Sequence, residues 1–269
     1  MLLSDGKTYR KNTRFLMKIV KLLLMLLTLS VFANDKGLEI AKKMDQANKG
    51  YIGDTSTMEL VLVDSSGVEI VREMLGASGE FNGVDKSLME FKKPLDVKGT
   101  KLLTWTWKDE RDDDQWLYLP SLKRVKKINS RSKGSSFMGS EFSFEDIGGQ
   151  TIEKYNYKYL KDEKVGGQKV WVVERVAKAK SSYSKVVLYV SQKYLAPVKS
   201  EYYNKRNEHI KTSSMEDFKS YTVGKRKMWR ANKIVMLNLN NKKQSIFKWK
   251  NRVIGKAVNE GDLTKRKLK

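Results

Sequence analysis

One histidine, no cysteine and a scatter of carboxylates are what this 269-residue chain offers for chemistry. Without cysteine there are no disulfides, thiolate metal sites, cysteine nucleophile or attachment of lipid through a thiol. Any nucleophile–histidine–acid triad must use His209, which stands in the polar stretch Asn207-Glu208-His209-Ile210 and reads as a structural or solvated residue on a surface strand. Zinc takes Cys and His ligands, so no zinc site is expected. Asp109, Glu110, Asp112, Asp113 and Asp114 offer the oxygen ligands that calcium prefers. They lack the alternating spacing and central glycine of a calcium loop and read as a solvated turn. Glu141 and Glu145-Asp146 could be paired as acid and base, but their apolar neighbours favour ion pairing or capping. Gly148-Gly149 and Gly166-Gly167 read as turns, with no phosphate-cradling loop. The expectation is a binding protein with no catalytic residues, no metal and no cofactor.

The elements that would position a binding surface are mostly strands. Residues 36–49 carry Leu38, Ala41, Met44 and Ala47 at helical spacing, with Asn34 or Asp35 as cap and Gly50 as stop. After it the period becomes two. Met58, Leu60 and Leu62 share one strand face, as do Leu103, Trp105 and Trp107, then Leu117 and Leu119, then Val235, Leu237 and Leu239. Lys123, Arg124, Lys126 and Lys127 give a short strand with a basic face. Residues 129–150 break the pattern. They are rich in Ser and Gly, with Phe137, Met138, Phe142 and Phe144 as anchors, and read as a long loop with one helical turn near Ser143–Asp146. Strands then resume to residue 250. Turns every 10–12 residues predict about ten or eleven strands in a sandwich or barrel. No strand–helix–strand rhythm points to a parallel sheet. The final Lys265-Arg266-Lys267-Leu268-Lys269 is expected to fray.

The N-terminus reads as an export signal. Met17-Lys18-Ile19-Val20-Lys21 is a basic start, and the apolar run from Leu22 to Phe32 is 11 residues long. A membrane-crossing helix needs about 20. Ala33, with Val31 two positions before it, fits a cleavage site. The organisation is therefore an extension (1–16) and cleaved signal within residues 1–33, followed by one domain over residues 34–269. Cleavage removes six lysines and arginines and one aspartate, so the net charge of +23 falls to +18. Outside the cytoplasm such a basic surface meets anionic lipid or acidic protein, not nucleic acid. The cluster Lys123, Arg124, Lys126 and Lys127 is the candidate docking patch.

Three segments in order carry a family resemblance. They are Pro94-Leu95-Asp96-Val97-Lys98-Gly99-Thr100, then Asp114-Gln115-Trp116-Leu117-Tyr118-Leu119-Pro120 with Leu122-Lys123-Arg124-Val125, then Phe137-Met138-Gly139-Ser140-Glu141-Phe142-Ser143-Phe144-Glu145-Asp146. Together they resemble the outer membrane lipoprotein-sorting proteins of the LolA/LolB-like superfamily, over essentially all of residues 37–264. The resemblance implies a mostly β (α+β) fold, a strongly curved antiparallel sheet or unclosed barrel with helices covering its mouth. It implies a periplasmic carrier that holds acyl chains of lipoproteins or lipid in its concave face. Partners would be an inner-membrane exporter of the resistance–nodulation–division class or a lipoprotein-releasing complex, and an outer-membrane acceptor. A chain without cysteine would be the soluble shuttle rather than the lipid-anchored receptor. The alternative is an accessory module of such an exporter with no cargo of its own. On the carrier reading Met58, Leu60, Leu62, Leu103, Trp105, Trp107, Leu117, Leu119, Val235, Leu237 and Leu239 are candidates for the cavity wall. Phe137, Met138, Phe142 and Phe144 are candidates for a lid or partner loop.

Overall fold

The computed structural model describes residues 36–269, with Met17 alone before them. The expected signal, its cleavage after Ala33 and the Asn34/Asp35 cap lie outside the described residues. The first element is a helix, α1, over 36–48. It is followed by six strands: β1 (Gly53–Val63), β2 (Glu69–Phe81), β3 (Val84–Lys93), β4 (Lys101–Trp107), β5 (Asp114–Leu119) and β6 (Arg124–Ile128). A short helix α2 (Phe144–Ile147) interrupts them. Seven more strands follow: β7 (Tyr155–Val165), β8 (Gln168–Ala177), β9 (Lys185–Ser191), β10 (Ala196–Tyr203), β11 (His209–Val223), β12 (Arg226–Asn238) and β13 (Gln244–Ile254).

All thirteen strands form one antiparallel sheet, in the order β6-β5-β4-β3-β2-β1-β13-β12-β11-β10-β9-β8-β7. The sheet is curved and unclosed, as the resemblance implies. It has thirteen strands where the turn spacing predicts ten or eleven. Asn82-Gly83, between Phe81 and Val84, is a two-residue hairpin turn that joins β2 directly to β3, a short-range signal that a count of turn spacing passes over.

The strand order has one topological consequence. β6 and β7 are consecutive in the chain but lie at opposite edges of the sheet. The segment 129–154 must therefore cross a face, and it crosses the concave one. Phe137, Phe142 and Phe144 join a single core cluster with Met58 and Leu60 of β1, Leu117 of β5, Tyr157 of β7 and Met236 of β12. Burial of these rings gives the crossing segment its place, at roughly 25 cal/mol per Å² of apolar surface removed from water.

α1 covers the same face. Its buried stripe is Gly37, Ile40, Ala41 and Met44, offset from the stripe expected through Leu38, which is 40% exposed. Gly37 explains the offset. A Cβ there would sit 2.7 Å from the Tyr159 backbone nitrogen, so the first turn lies directly on edge strand β7. Gly50, at φ +75°, ends the connection after α1 in the left-handed conformation that glycine adopts without strain.

The convex face carries a second cluster. Leu103 and Trp116 pack there against Leu263 and Leu268, both essentially buried. The C-terminus does not fray. Lys265–Leu268 forms a 3₁₀ turn, and the Trp105 indole N–H donates to the Leu263 carbonyl at 3.0 Å. Lys101 Nζ donates to the Lys267 carbonyl at 2.7 Å. Two leucines among lysines are enough to anchor a tail when an apolar strand face lies open beneath it.

Candidate functional site

The concave face is roofed but not filled. Beneath α1 lies a cavity of about 510 Å³, bordered by Met44, Tyr157 and Leu188. A second, of about 300 Å³, is bordered by Tyr183, Leu188, Tyr202, Met215 and Ile234. A third, of about 280 Å³, lies among Met58, Met89, Phe142, Ile234, Phe247 and Trp249. The first two share Arg175, Leu188 and Arg230, the first and third share Ile147, and the second and third share Asp146 and Ile234. The interior is thus a branched space with mixed walls. Each lobe is near the low end of the ~300–1,000 Å³ range typical of ligand clefts.

The crossing segment that roofs this space is held by polar contacts. Ser143 caps α2: its Oγ accepts from the Asp146 N–H at 3.1 Å, and Asp146 Oδ2 accepts from the Ser143 N–H at 2.7 Å. The Tyr183 hydroxyl donates to the same carboxylate at 3.0 Å. Burial pushes the Asp146 carboxyl above its ordinary range, with Lys211 at 3.9 Å pulling the other way. Glu145 accepts from the Ser182 N–H at 2.9 Å and from the Ser181 and Ser182 hydroxyls. Glu141 accepts from Asn238 Nδ2 at 2.6 Å. These three carboxylates cap and tie. The segment's rings pack at a tilt against the sheet, Phe142 on Phe247 at 4.8 Å and Phe137 on Phe91 at 5.8 Å between ring centroids.

Asp113 is not solvated, in contrast to the turn expected from sequence. It forms a buried pair with Lys154 and accepts from the Gly149 N–H, pinning the end of the crossing segment to β5. A Cβ at Gly149 would overlap the Thr106 side chain at 1.9 Å, so this close approach requires glycine. His209 stacks on Tyr203 at 5.2 Å between ring centroids, with Nε2 3.0 Å from the Lys211 carbonyl oxygen. No group of His, Asp and Glu among the described residues is arranged to hold a metal ion. No helix among them is long and apolar enough to cross a membrane.

A family model described only as that of an uncharacterized protein matches residues 83–269. The crystal structure of an outer membrane lipoprotein-sorting protein domain from Vibrio parahaemolyticus is similar over 87% of this chain and 99% of that one, with 38% identity and a TM-score of 0.83. The chain belongs to the outer membrane lipoprotein-sorting protein family. A DUF1329 family protein from Desulfovibrio piger is similar over 88% of this chain and 99% of that one, at 25% identity and a TM-score of 0.81. A LolA superfamily protein from Nitrosomonas europaea shares the fold, at 19% identity and a TM-score of 0.66 over 85% of this chain and 97% of that one. No curated protein matches the chain.

Within this LolA-like fold the expected wall residues divide between the two faces. Met58, Leu60, Leu62, Leu117 and Leu119 belong to the concave cluster, and Met58 borders a cavity. Leu103 and Trp105 do not. They lie on the convex face under the C-terminal tail, with Trp107 edge-on to Trp105 at 6.3 Å and Arg111 over its ring. Val235 and Leu237 alternate with the concave Ile234 and Met236 and so face the other side, and Leu239 follows the end of β12 in the same phase. The reason is physical. β4 and β12 are apolar on both faces, and alternation separates two faces without saying which is concave.

Phe137, Phe142 and Phe144 are buried and Met138 packs against them. The segment is an integral roof, and its rings are not presented to a partner. Lys123, Arg124, Lys126 and Lys127 are all exposed at the β6 edge. Arg124 and Lys126 stand opposite Leu119 and Leu117, on the concave rim. Lys127 stands opposite Trp116 and is paired with Asp114 at 2.8 Å. The sequence reading missed Ile234, Phe247 and Trp249, although Phe247 and Trp249 alternate along β13 and could have been found by the same rule.

Proposed function

We propose that this protein is a periplasmic carrier that shields the acyl chains of a lipoprotein or lipid within its concave interior and passes them between the membranes of the envelope. On this reading residues 1–33 are the extension and signal removed on export after Ala33, and residues 34–269 act as one carrier domain. The observation that carries it is the branched, roofed and partly apolar space on the concave face, at Met58, Leu188, Ile234 and Phe247. The 38% identity to a domain described as lipoprotein-sorting supports the cargo class.

The energetics fit a shuttle. Each acyl CH₂ kept from water is worth about 0.8 kcal/mol, so the cargo cannot cross an aqueous space bare. Transfer out of a bilayer gains little, because the chain was already buried there. Loading and release therefore depend on partners: an exporter of the resistance–nodulation–division class or a lipoprotein-releasing complex on one side, and an outer-membrane acceptor on the other. The β6 edge, with Arg124 and Lys126 on the concave rim, would bring the opening to an anionic membrane surface.

Native mass spectrometry of the protein taken from a periplasmic extract, followed by organic extraction, tests the proposal. A bound acylated species is expected. A ligand-free mass, with no uptake from added lipid, would replace the carrier by an accessory module of an exporter.

A further inference from the structure

Two guanidinium groups inside the concave space have no acidic partner among the described residues. Arg175 on β8 and Arg230 on β12 both border the cavities of about 300 and 510 Å³. Arg175 Nε is enclosed by protein and meets no acceptor, while its guanidinium lies 4.7 Å over the Tyr155 ring. Arg230 donates to neutral oxygens alone: to Asn48 Oδ1 at 2.6 Å, the Trp229 carbonyl at 3.1 Å and the Asn48 carbonyl at 3.2 Å. Burial lowers its pKa from the ordinary arginine value, but a guanidinium still keeps its proton in a protein.

The other cations around this space are paired: Arg252 with Asp54, Nε 2.9 Å from Oδ2, Lys108 with Asp85 at 2.9 Å and Lys86 with Glu260 at 2.6 Å. Carboxylates border the same cavities: Glu145 and Asp146 accept the hydrogen bonds described above, Glu80 accepts from the Gly50 N–H at 3.0 Å, and Glu153 lies on the larger cavity. Among the described residues none of them forms an ion pair with Arg175 or Arg230. The two guanidinium groups face a space whose nearby walls include Leu188, Met215 and Ile234.

We infer that the cavity takes an amphiphile bearing an anionic oxyacid group, carboxylate or phosphate, whose oxygens sit on Arg175 and Arg230 while its acyl chain lies along Leu188, Met215 and Ile234. The planar fork of arginine matches both groups bidentately, and a water-poor wall strengthens the attraction. This inference rests on the carrier reading and narrows its cargo. Acyl chains held through ester or amide links carry no such charge, so the preferred ligand is an acidic lipid or fatty acid.

The test compares the full chain's affinity for dodecanoate, dodecyl phosphate and dodecanol by calorimetry, with inorganic phosphate as competitor. The two anionic ligands should bind at least tenfold more tightly than dodecanol. Arg175→Gln should reduce that ratio to about one. The Arg175 side chain makes no hydrogen bond among the described residues, so this variant should fold. Arg230→Gln should act likewise, with circular dichroism checking the contact to α1. Equal affinity for all three ligands, or a preference that survives Arg175→Gln, would overturn the anionic site and leave the carrier standing. Binding of none of them would overturn both. Capture of inorganic phosphate without affinity for any dodecyl chain would show a free-anion site and overturn the amphiphile.

Discussion

Beneath the C-terminal tail, Leu103 and Trp116 meet Leu263 and Leu268 with almost no exposed surface. On the opposite face of the same sheet, Met58, Met89, Ile234 and Phe247 leave cavities around them, roofed by α1 and the crossing segment. Both faces are apolar, and composition does not separate them. What separates them is the cover. The convex patch is closed by a short piece of chain that fits it side chain for side chain. The concave face is spanned by a helix and a loop too narrow to fill the curve of thirteen strands. A close-packed contact transmits every lost methylene as lost stability, whereas a partly empty one can exchange contents.

The largest effect expected from that contrast is on the convex side. Leu263→Ala removes a buried side chain from a filled site and should destabilise the fold by about 3 kcal/mol, within the 2–5 range for such truncations. Urea unfolding would measure it, and lipid uptake per folded molecule should be unchanged. Loss of uptake at constant stability would mean that the tail, too, belongs to the binding machinery.

The concave counterpart should behave in the opposite way. Ile234 borders two of the three lobes, so Ile234→Phe puts bulk into existing space. Overpacking a filled core costs about 1–3 kcal/mol; here the cost should stay below about 1 kcal/mol, while acyl-chain affinity falls about tenfold, or 1.4 kcal/mol. A large loss of stability with unchanged uptake would show that the lobe at Ile234 closes in solution.

Acidity gives a third handle on the concave side. The Asp146 carboxyl is raised by burial, so the folded protein holds this proton more firmly than the unfolded chain. The stability it contributes is fully present below the unfolded carboxylate value of about 3.9 and is lost as pH rises through the raised folded value. Asp146→Asn keeps an acceptor for the Ser143 N–H and removes the titration. Its stability should therefore improve relative to the parent as pH rises from 4 to 7, by urea midpoints. A parallel pair of pH profiles would contradict the assignment.

Much of the fold was legible because period and punctuation agree. The helix over 36–48, the turn at Ser143–Asp146 and most strands follow from spacing, capping residues and glycine turns. The site was half legible. Alternation proposes Met58, Leu60 and Leu117, which lie on the concave side, and equally Leu103, Trp105 and Val235, which lie on the other, because a sheet covered on both faces carries two apolar phases. The tail was illegible for a related reason. Leu263 and Leu268 have no periodic neighbours, and only the exposed Leu103–Trp116 surface gives them somewhere to go. Arg175 and Arg230 gave no signal at all, since a strand arginine is ordinarily solvated and only the curvature turns these two inward.

The smallest expected effect concerns the rim between the two faces. Arg124 and Lys126 are exposed opposite concave residues, while Lys127 lies toward the convex side with its charge matched by Asp114 at 2.8 Å. Near an anionic membrane each unmatched basic residue is worth about 1 kcal/mol. Arg124→Gln and Lys126→Gln should each weaken binding to phosphatidylglycerol vesicles by about that amount, and Lys127→Gln by less, because Lys127 stands opposite Trp116, on the side turned away from the concave rim. Stability should change by no more than about 0.5 kcal/mol, as for surface substitutions generally. Raising the salt to 0.15 M, where the Debye length is about 8 Å, should shrink all three differences together. Equal effects at Lys126 and Lys127 would mean that the whole edge, and not its concave rim, faces the membrane.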